Sequence, residues 1–174
     1  MATVTDRYST AVHSRNLSVD EKTRMSDTDV LGAYGLASRE VPLAVALERL
    51  FAGDNKAAPQ IAEALGGMAH QHSYKLDVRI SKIECHDLAK ACLAWHRNGT
   101  CRECGGHGYQ LAPGAPMLSE RECPACNGTG RINLEQQFHP ELRELVRWMA
   151  AELARETGRA GPAAMRRIAP MLEL

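Results

Sequence analysis

The chain has 174 residues, enough for one domain with room for a small appendage. It is 44% hydrophobic and 24% charged, with 21 basic and 21 acidic side chains. That balance fits a globular protein, and not one that holds nucleic acid by phosphate neutralisation alone. No apolar run approaches the roughly 20 residues of a membrane span, so no membrane partner is expected.

Residues 1–25 mix Thr, Ser, Arg, Asp and Glu without apolar periodicity. They read as a flexible leader, with a short partner-docking helix left open. They hold neither the apolar centre of a signal peptide nor a lipidation motif, so secretion and lipid anchoring are not expected. Ser26-Asp27-Thr28-Asp29 has the spacing of a capping box, and Val30, Leu31 and Tyr34 follow at helical intervals. Gly35 and Ser38 interrupt. Pro42, a favoured first-turn residue, opens a second helix through Leu43, Leu47, Leu50 and Phe51. Gly53-Asp54-Asn55 is turn chemistry, and a third helix carries Ile61, Leu65, Met68, Ala69 and His72 on one face. Ser81-Lys82-Ile83-Glu84 is a second capping box. Behind it Cys85, Leu88, Cys92 and Trp95 form an apolar stripe that ends near Asn98-Gly99. Residues 26–98 are thus a helical region.

Residues 99–133 differ: glycine is dense, Pro113, Pro116 and Pro124 interrupt, and helical periodicity is lost. From Leu134 it returns. Leu142, Leu145, Val146, Met149 and Leu153 form a stripe after Pro140, and Pro162 opens a last helix through Met165, Arg166, Arg167 and Ile168. Residues 134–174 are therefore read as C-terminal helices that pack on 26–98. The expected fold is mainly α: a helical domain with an inserted four-cysteine zinc-binding module and a helix-turn-helix-like C-terminal pair.

The cysteines carry the clearest chemistry. Cys101, Cys104, Cys123 and Cys126 form a C-x2-C-x18-C-x2-C arrangement, and each pair continues as C-x-x-C-x-G-x-G. Each two-residue spacing lets two thiolates approach one tetrahedral ion at about 2.3 Å. Gly106, Gly108, Gly128 and Gly130 can take positive φ and bend the chain around it. One structural Zn2+ is expected, contributing roughly 10–16 kcal/mol in apparent terms to a segment with almost no apolar core. A thioredoxin-like βαβ pattern is lacking, which disfavours redox chemistry. Four thiolates leave no open position for a catalytic metal. Four-cysteine ligation is preferred over a set in which His107 replaces a cysteine. Cys85 and Cys92, despite His86 and His96 nearby, read as core residues on the Leu88/Trp95 face. His70 and His72 are two apart and share no helix face.

Over 99–131 these residues resemble the bacteriophage late-gene antitermination proteins of the lambda Q type. The likeness lies in Gly99-Thr100-Cys101-Arg102-Glu103-Cys104-Gly105-Gly106-His107-Gly108 and Arg121-Glu122-Cys123-Pro124-Ala125-Cys126-Asn127-Gly128-Thr129-Gly130. Ser26-Asp27-Thr28-Asp29-Val30, and Pro162, Arg166, Ile168 and Pro170, are similar to the family's two ends. The resemblance implies a helical fold with an inserted zinc module and a protein that makes and breaks no bond. It implies a phage transcription factor of the host bacterial cytoplasm that binds double-stranded DNA at a late promoter. Such a factor engages paused bacterial RNA polymerase through sigma and the β flap, and carries it past terminators.

From Asn98 onward nine Arg meet nine Glu, so any DNA contact must be local. The turn at Gly158 between the last two helices has helix-turn-helix spacing. Arg155, Arg159, Arg166 and Arg167 face only Glu156 in that stretch, a local positive surplus. Arg166 and Arg167 are candidates for a base edge and a phosphate, and Arg102, Arg121 and Arg131 for further phosphates. The same repeats also occur in DnaJ-type co-chaperones, so a zinc-containing protein-binding adaptor is the alternative. The His-Pro-Asp tripeptide of a J-domain is missing, with His139-Pro140-Glu141 its nearest approach. No phosphate-binding glycine loop or nucleophile elbow marks an enzyme.

Overall fold

A computed structural model describes residues 4–14, 26–112, 114 and 117–171. Seven helices are defined there: α1 (Val4–His13), α2 (Asp27–Ala37), α3 (Pro42–Phe51), α4 (Ala57–Ser73), α5 (Lys82–Arg97), α6 (Arg143–Thr157) and α7 (Ala160–Ile168). Between α5 and α6 lies an antiparallel pair, β1 (Tyr109–Leu111) and β2 (Leu118–Glu122). The mainly helical fold with a non-helical insert after α5 is therefore observed. No helix among the described residues is long and apolar enough to cross a membrane.

The capping motifs explain where two helices begin. At Ser26 the hydroxyl accepts from the Asp29 amide at 3.2 Å, and the Asp29 carboxylate accepts from the Ser26 amide at 2.9 Å. Two of the amides that a helix start leaves unpaired are thereby satisfied. Ser81 and Glu84 repeat the arrangement at the start of α5. Gly35 does not interrupt α2, which runs on to Ala37 and ends at Ser38. An interior glycine costs only about 1 kcal/mol, which burial of Val30, Ala33, Tyr34 and Ala37 on the same helix outweighs.

The chain divides into two compact units. One comprises Met1–Leu65 and Ala151–Leu174, the other Gly66–Ala150. In the first, α7 packs against α2, α1 and α3. Ala160, Ala163, Ala164 and Ile168 of α7 join Val30, Ala33, Tyr34 and Ala37 of α2 in one buried cluster. Alanines let two helix backbones approach closely, so shape rather than side-chain bulk makes this contact. The helix-turn-helix-like geometry expected of α6 and α7 is not established by these contacts.

Helix α1 falls within the stretch read as a leader. Tyr8 stacks on Tyr34 with ring centroids 3.9 Å apart, and His13 Nε2 donates to the Ala52 carbonyl at 2.8 Å. Among the described side chains of α1, Tyr8 and Ala11 are the buried ones, too short a stripe to register as periodicity, so tertiary docking holds the helix. Residues 1–3 and 15–25 of that expected leader lie outside the described residues, as do Pro113 and Pro116.

In the second unit, a Cβ at Gly66 of α4 would meet His86 Cα of α5 at 2.9 Å, so that helix contact requires glycine. His72 stacks on Trp148 with centroids 4.2 Å apart. Cys85, Leu88 and Cys92 are buried on α5 as the stripe foretold, and burial pushes the Cys92 thiol up to about 12. They behave as core residues.

The Ser26 cap has a calculable cost. Replacing Ser26 by Ala should destabilise the chain by about 1 kcal/mol at pH 7, read by urea denaturation. The Ser26 amide and hydroxyl hold the Asp29 carboxyl below its usual range. Such a group stabilises fully above the ordinary carboxylate range near about 4 and loses its effect as pH falls through the lowered native value. The penalty of Ser26→Ala should accordingly shrink in acid; a penalty that is flat with pH would contradict the capping account.

Candidate metal centre

The centre is built from two copies of one local design. In residues 101–108 and 123–130 two cysteines stand a turn apart and are followed by glycines at the same two places, 106 and 108 in one copy and 128 and 130 in the other. Tight turns shape each copy: the Gly106 amide donates to the Cys101 carbonyl at 3.1 Å, and the Asn127 amide to the Cys123 carbonyl at 2.8 Å. The chain then curls back, so that the Gly108 amide donates to Cys104 Sγ and the Gly130 amide to Cys126 Sγ, each at 3.3 Å. These matched N–H···S bonds stabilise negative sulfur.

Glycine is obligatory where the copies cross. Gly108 and Gly130 have φ of 79° and 70°. A Cβ at Gly108 would lie 2.3 Å from the Gly128 carbonyl oxygen, and one at Gly130 would lie 2.2 Å from the Gly106 carbonyl oxygen. The two knuckles touch backbone to backbone, and only glycine permits both the approach and the left-handed conformation.

The crossing brings four sulfurs together. Cys101 Sγ lies 4.0 Å from Cys123 Sγ, and Cys104 Sγ 3.7 Å from Cys126 Sγ. All four lie within 4.8 Å of one another. A tetrahedral ion with metal–sulfur bonds of about 2.3 Å sets its sulfurs about 3.8 Å apart, so the cluster fits one such ion. Cys101, Cys123 and Cys126 are buried and Cys104 half-buried. Burial alone would raise the Cys104 thiol, but the Gly108 and Gly106 amides and the Cys126 and Cys101 thiols draw it down to about 7. Burial pushes Cys126 the other way, to about 11. His107 is exposed and outside the four-ligand group. With four protein ligands and no open position, the centre can hold structure but offers no substrate a place on the metal.

The insert is fastened at its root. Thr100 bridges Arg131, the Ile132 amide donates to the Gly99 carbonyl at 2.8 Å, and Trp95 Nε1 of α5 donates to the Ile132 carbonyl at 2.8 Å. The Arg131 guanidinium sits 4.2 Å over the Trp95 ring and donates to the Trp95 carbonyl at 3.4 Å. A phosphate contact by Arg131 would have to compete with this stacking.

The other arginines also have defined surroundings. Arg155 pairs with Glu152 and Arg159 with Glu156, both carboxylates nearly fully buried. Arg166 and Arg167 project from the exposed side of α7 and share Glu40, which lies 3.8 Å from Arg166. The local positive surplus read from the sequence is therefore largely offset, because Glu152 and Glu40 join Glu156 in facing these four side chains. Glu40 stands more than a hundred residues away in the chain, a pairing without a signal in the sequence. Arg102 and Arg121 are exposed and make no ion pair among the described residues. Arg102, Arg121 and Arg131 belong to one compact unit, and Arg155, Arg159, Arg166 and Arg167 to the other.

No protein-family model, curated protein or solved structure matches this chain.

Two substitutions separate metal binding from folding at the crossing. Cys101→Ser should reduce bound metal from one ion per chain to a fraction of that, measured by mass spectrometry of the purified protein, with loss of the 99–133 amide resonances. Gly130→Ala retains every ligand yet should also fail to hold metal, because its Cβ has no space. Full metal content in Gly130→Ala would show that the backbone crossing is not needed.

Proposed function

We propose that this chain is a transcription antitermination factor of the lambda Q type, acting in the bacterial host cytoplasm and carrying one structural Zn2+. The observation that carries the reading is the pair of C-x-x-C-x-G-x-G knuckles closing on one four-thiolate centre, inserted between helices α5 and α6. This is the arrangement that the resemblance implies. Thiolate-only donors favour zinc over harder ions, and a closed four-sulfur site supplies structure rather than catalysis. In this reading the protein has no catalytic residue and works by binding.

Double-stranded DNA at a late promoter is the first partner. The α6–turn–α7 pair acts as the helix-turn-helix-like reader, with Arg166 and Arg167 on the exposed side of α7 meeting a base edge and a phosphate. Arg155, Arg159, Arg102, Arg121 and Arg131 are the remaining candidate contacts. The even overall charge and the carboxylates beside four of these arginines support a factor that binds DNA weakly by itself. RNA polymerase, through sigma and the β flap, then holds it in place. The alternative is a zinc-containing protein-binding adaptor, for which the same repeated knuckles serve equally well.

Terminator readthrough discriminates between the two. Purified bacterial RNA polymerase should pass a strong intrinsic terminator when this metal-loaded protein is added to a template bearing its late promoter region, and not on a scrambled promoter. Absence of readthrough with a cognate polymerase would favour the adaptor. Arg166→Ala or Arg167→Ala should weaken retention on the native promoter by about 1–3 kcal/mol if either reads a base. Glu40→Gln, which removes their carboxylate, should leave retention equal or stronger. Weaker binding in Glu40→Gln would mean the arginines serve the fold rather than the DNA.

A further inference from the structure

The hairpin β1–β2 is unusual in burying almost nothing. Tyr109, Leu111, Met117 and Leu118 are 40%, 68%, 69% and 47% exposed, so four large apolar side chains lie on a short segment of the surface. Beside β1 runs a groove of about 700 Å³, bordered by Tyr109 and Leu111 of β1 together with Pro124 and Ala125 of the second knuckle. No residue of β2 lines it. The backbone is oriented accordingly. The Gly108 carbonyl accepts from Cys123 and the Ala112 amide donates to Met117, so alternation turns the Tyr109 and Leu111 amides and carbonyls outward. Neither residue makes a backbone hydrogen bond outside the hairpin among the described residues.

The charge of the groove selects its occupant. Glu103, His107, Cys104 and Cys123 line it, and no lysine or arginine does so. Four thiolates around one divalent ion leave a net charge of about −2, which Glu103 augments. We propose that this groove docks an extended segment of a partner protein in which a lysine or arginine stands between apolar residues. The segment adds a third strand to β1. Its main chain pairs with Tyr109 and Leu111, its apolar side chains cover Leu111 and Pro124, and its cation faces Glu103 and the thiolate cluster. A nucleic-acid strand would bring phosphate toward Glu103 and the anionic centre. A second copy joined edge to edge would set Glu103 against its own counterpart. The proposal is independent of any role in transcription.

The test uses the full-length, metal-loaded chain and short fluorescein-labelled peptides that alternate valine with lysine, glutamine or glutamate. Fluorescence anisotropy should show the lysine peptide binding about tenfold tighter than the glutamine peptide, with the glutamate peptide weakest. The Tyr109 and Leu111 amide resonances should shift on binding. N-methylation of the peptide's edge-pairing amides should abolish the interaction. Glu103→Gln should remove most of the preference for lysine, and Leu111→Ser should weaken all binding, with metal stoichiometry unchanged in both. Equal binding of lysine and glutamate peptides, or affinity insensitive to N-methylation and to Glu103→Gln, would overturn the proposal. So would tighter binding of an oligothymidylate, or concentration-dependent dimerisation in sedimentation that Leu111→Ser removes.

Discussion

Four thiolates held within 4.8 Å of one another repel as anions, and only a cation at their centre makes their shared ionisation favourable. Among the described residues of 99–133 the strands bury almost no side chain and the buried cluster is the cysteines themselves, so an ion held there would tie the segment together. Metal coordination there would take the place that apolar burial holds elsewhere in the chain. The backbone is shaped for it. Two glycine amides donate to sulfur, two glycines cross at distances that exclude a Cβ, and the ends of the insert emerge side by side at Thr100 and Arg131.

A module freed from building an apolar core can leave its apolar residues outside. Tyr109, Leu111, Met117 and Leu118 are exposed without unfolding the hairpin, since the knuckles and not these side chains hold the two strands in register. Exposed apolar groups next to an open strand edge are normally a liability that proteins suppress. The same unit fastens the insert to α5 through Trp95, whose ring carries Arg131 and whose indole N–H holds Ile132.

The other unit rests on ordinary forces. Small residues of α7 lie against α2, capping residues define the start of α2, and the four arginines beyond Glu152 face three carboxylates, with Glu40 shared by Arg166 and Arg167. Buried Glu152 and Glu156 need those partners, because an unpaired carboxylate in such a place costs several kcal/mol. Arginines that neutralise buried acids serve the fold first, and any nucleic-acid contact they make must leave those acids satisfied.

The helices were legible because their signals are local: capping boxes at Ser26 and Ser81, Pro42 at the first turn, and apolar residues every three to four positions along α3, α4 and α5. The clustering of four cysteines was equally legible, since two residues between cysteines is itself the spacing that lets both sulfurs meet, and the following glycines announce the turns. Other features had no local signal. Helix α1 exists through Tyr8 against Tyr34, the hairpin strands are too short to show alternation, and Glu40 meets Arg166 and Arg167 only after the chain has folded. Sequence by itself determined the elements whose hydrogen bonds and ligands lie within a few residues. Tertiary structure decided which distant side chains share a charge, a ring face or a strand edge, because those contacts depend on where folding carries residues far apart in the chain.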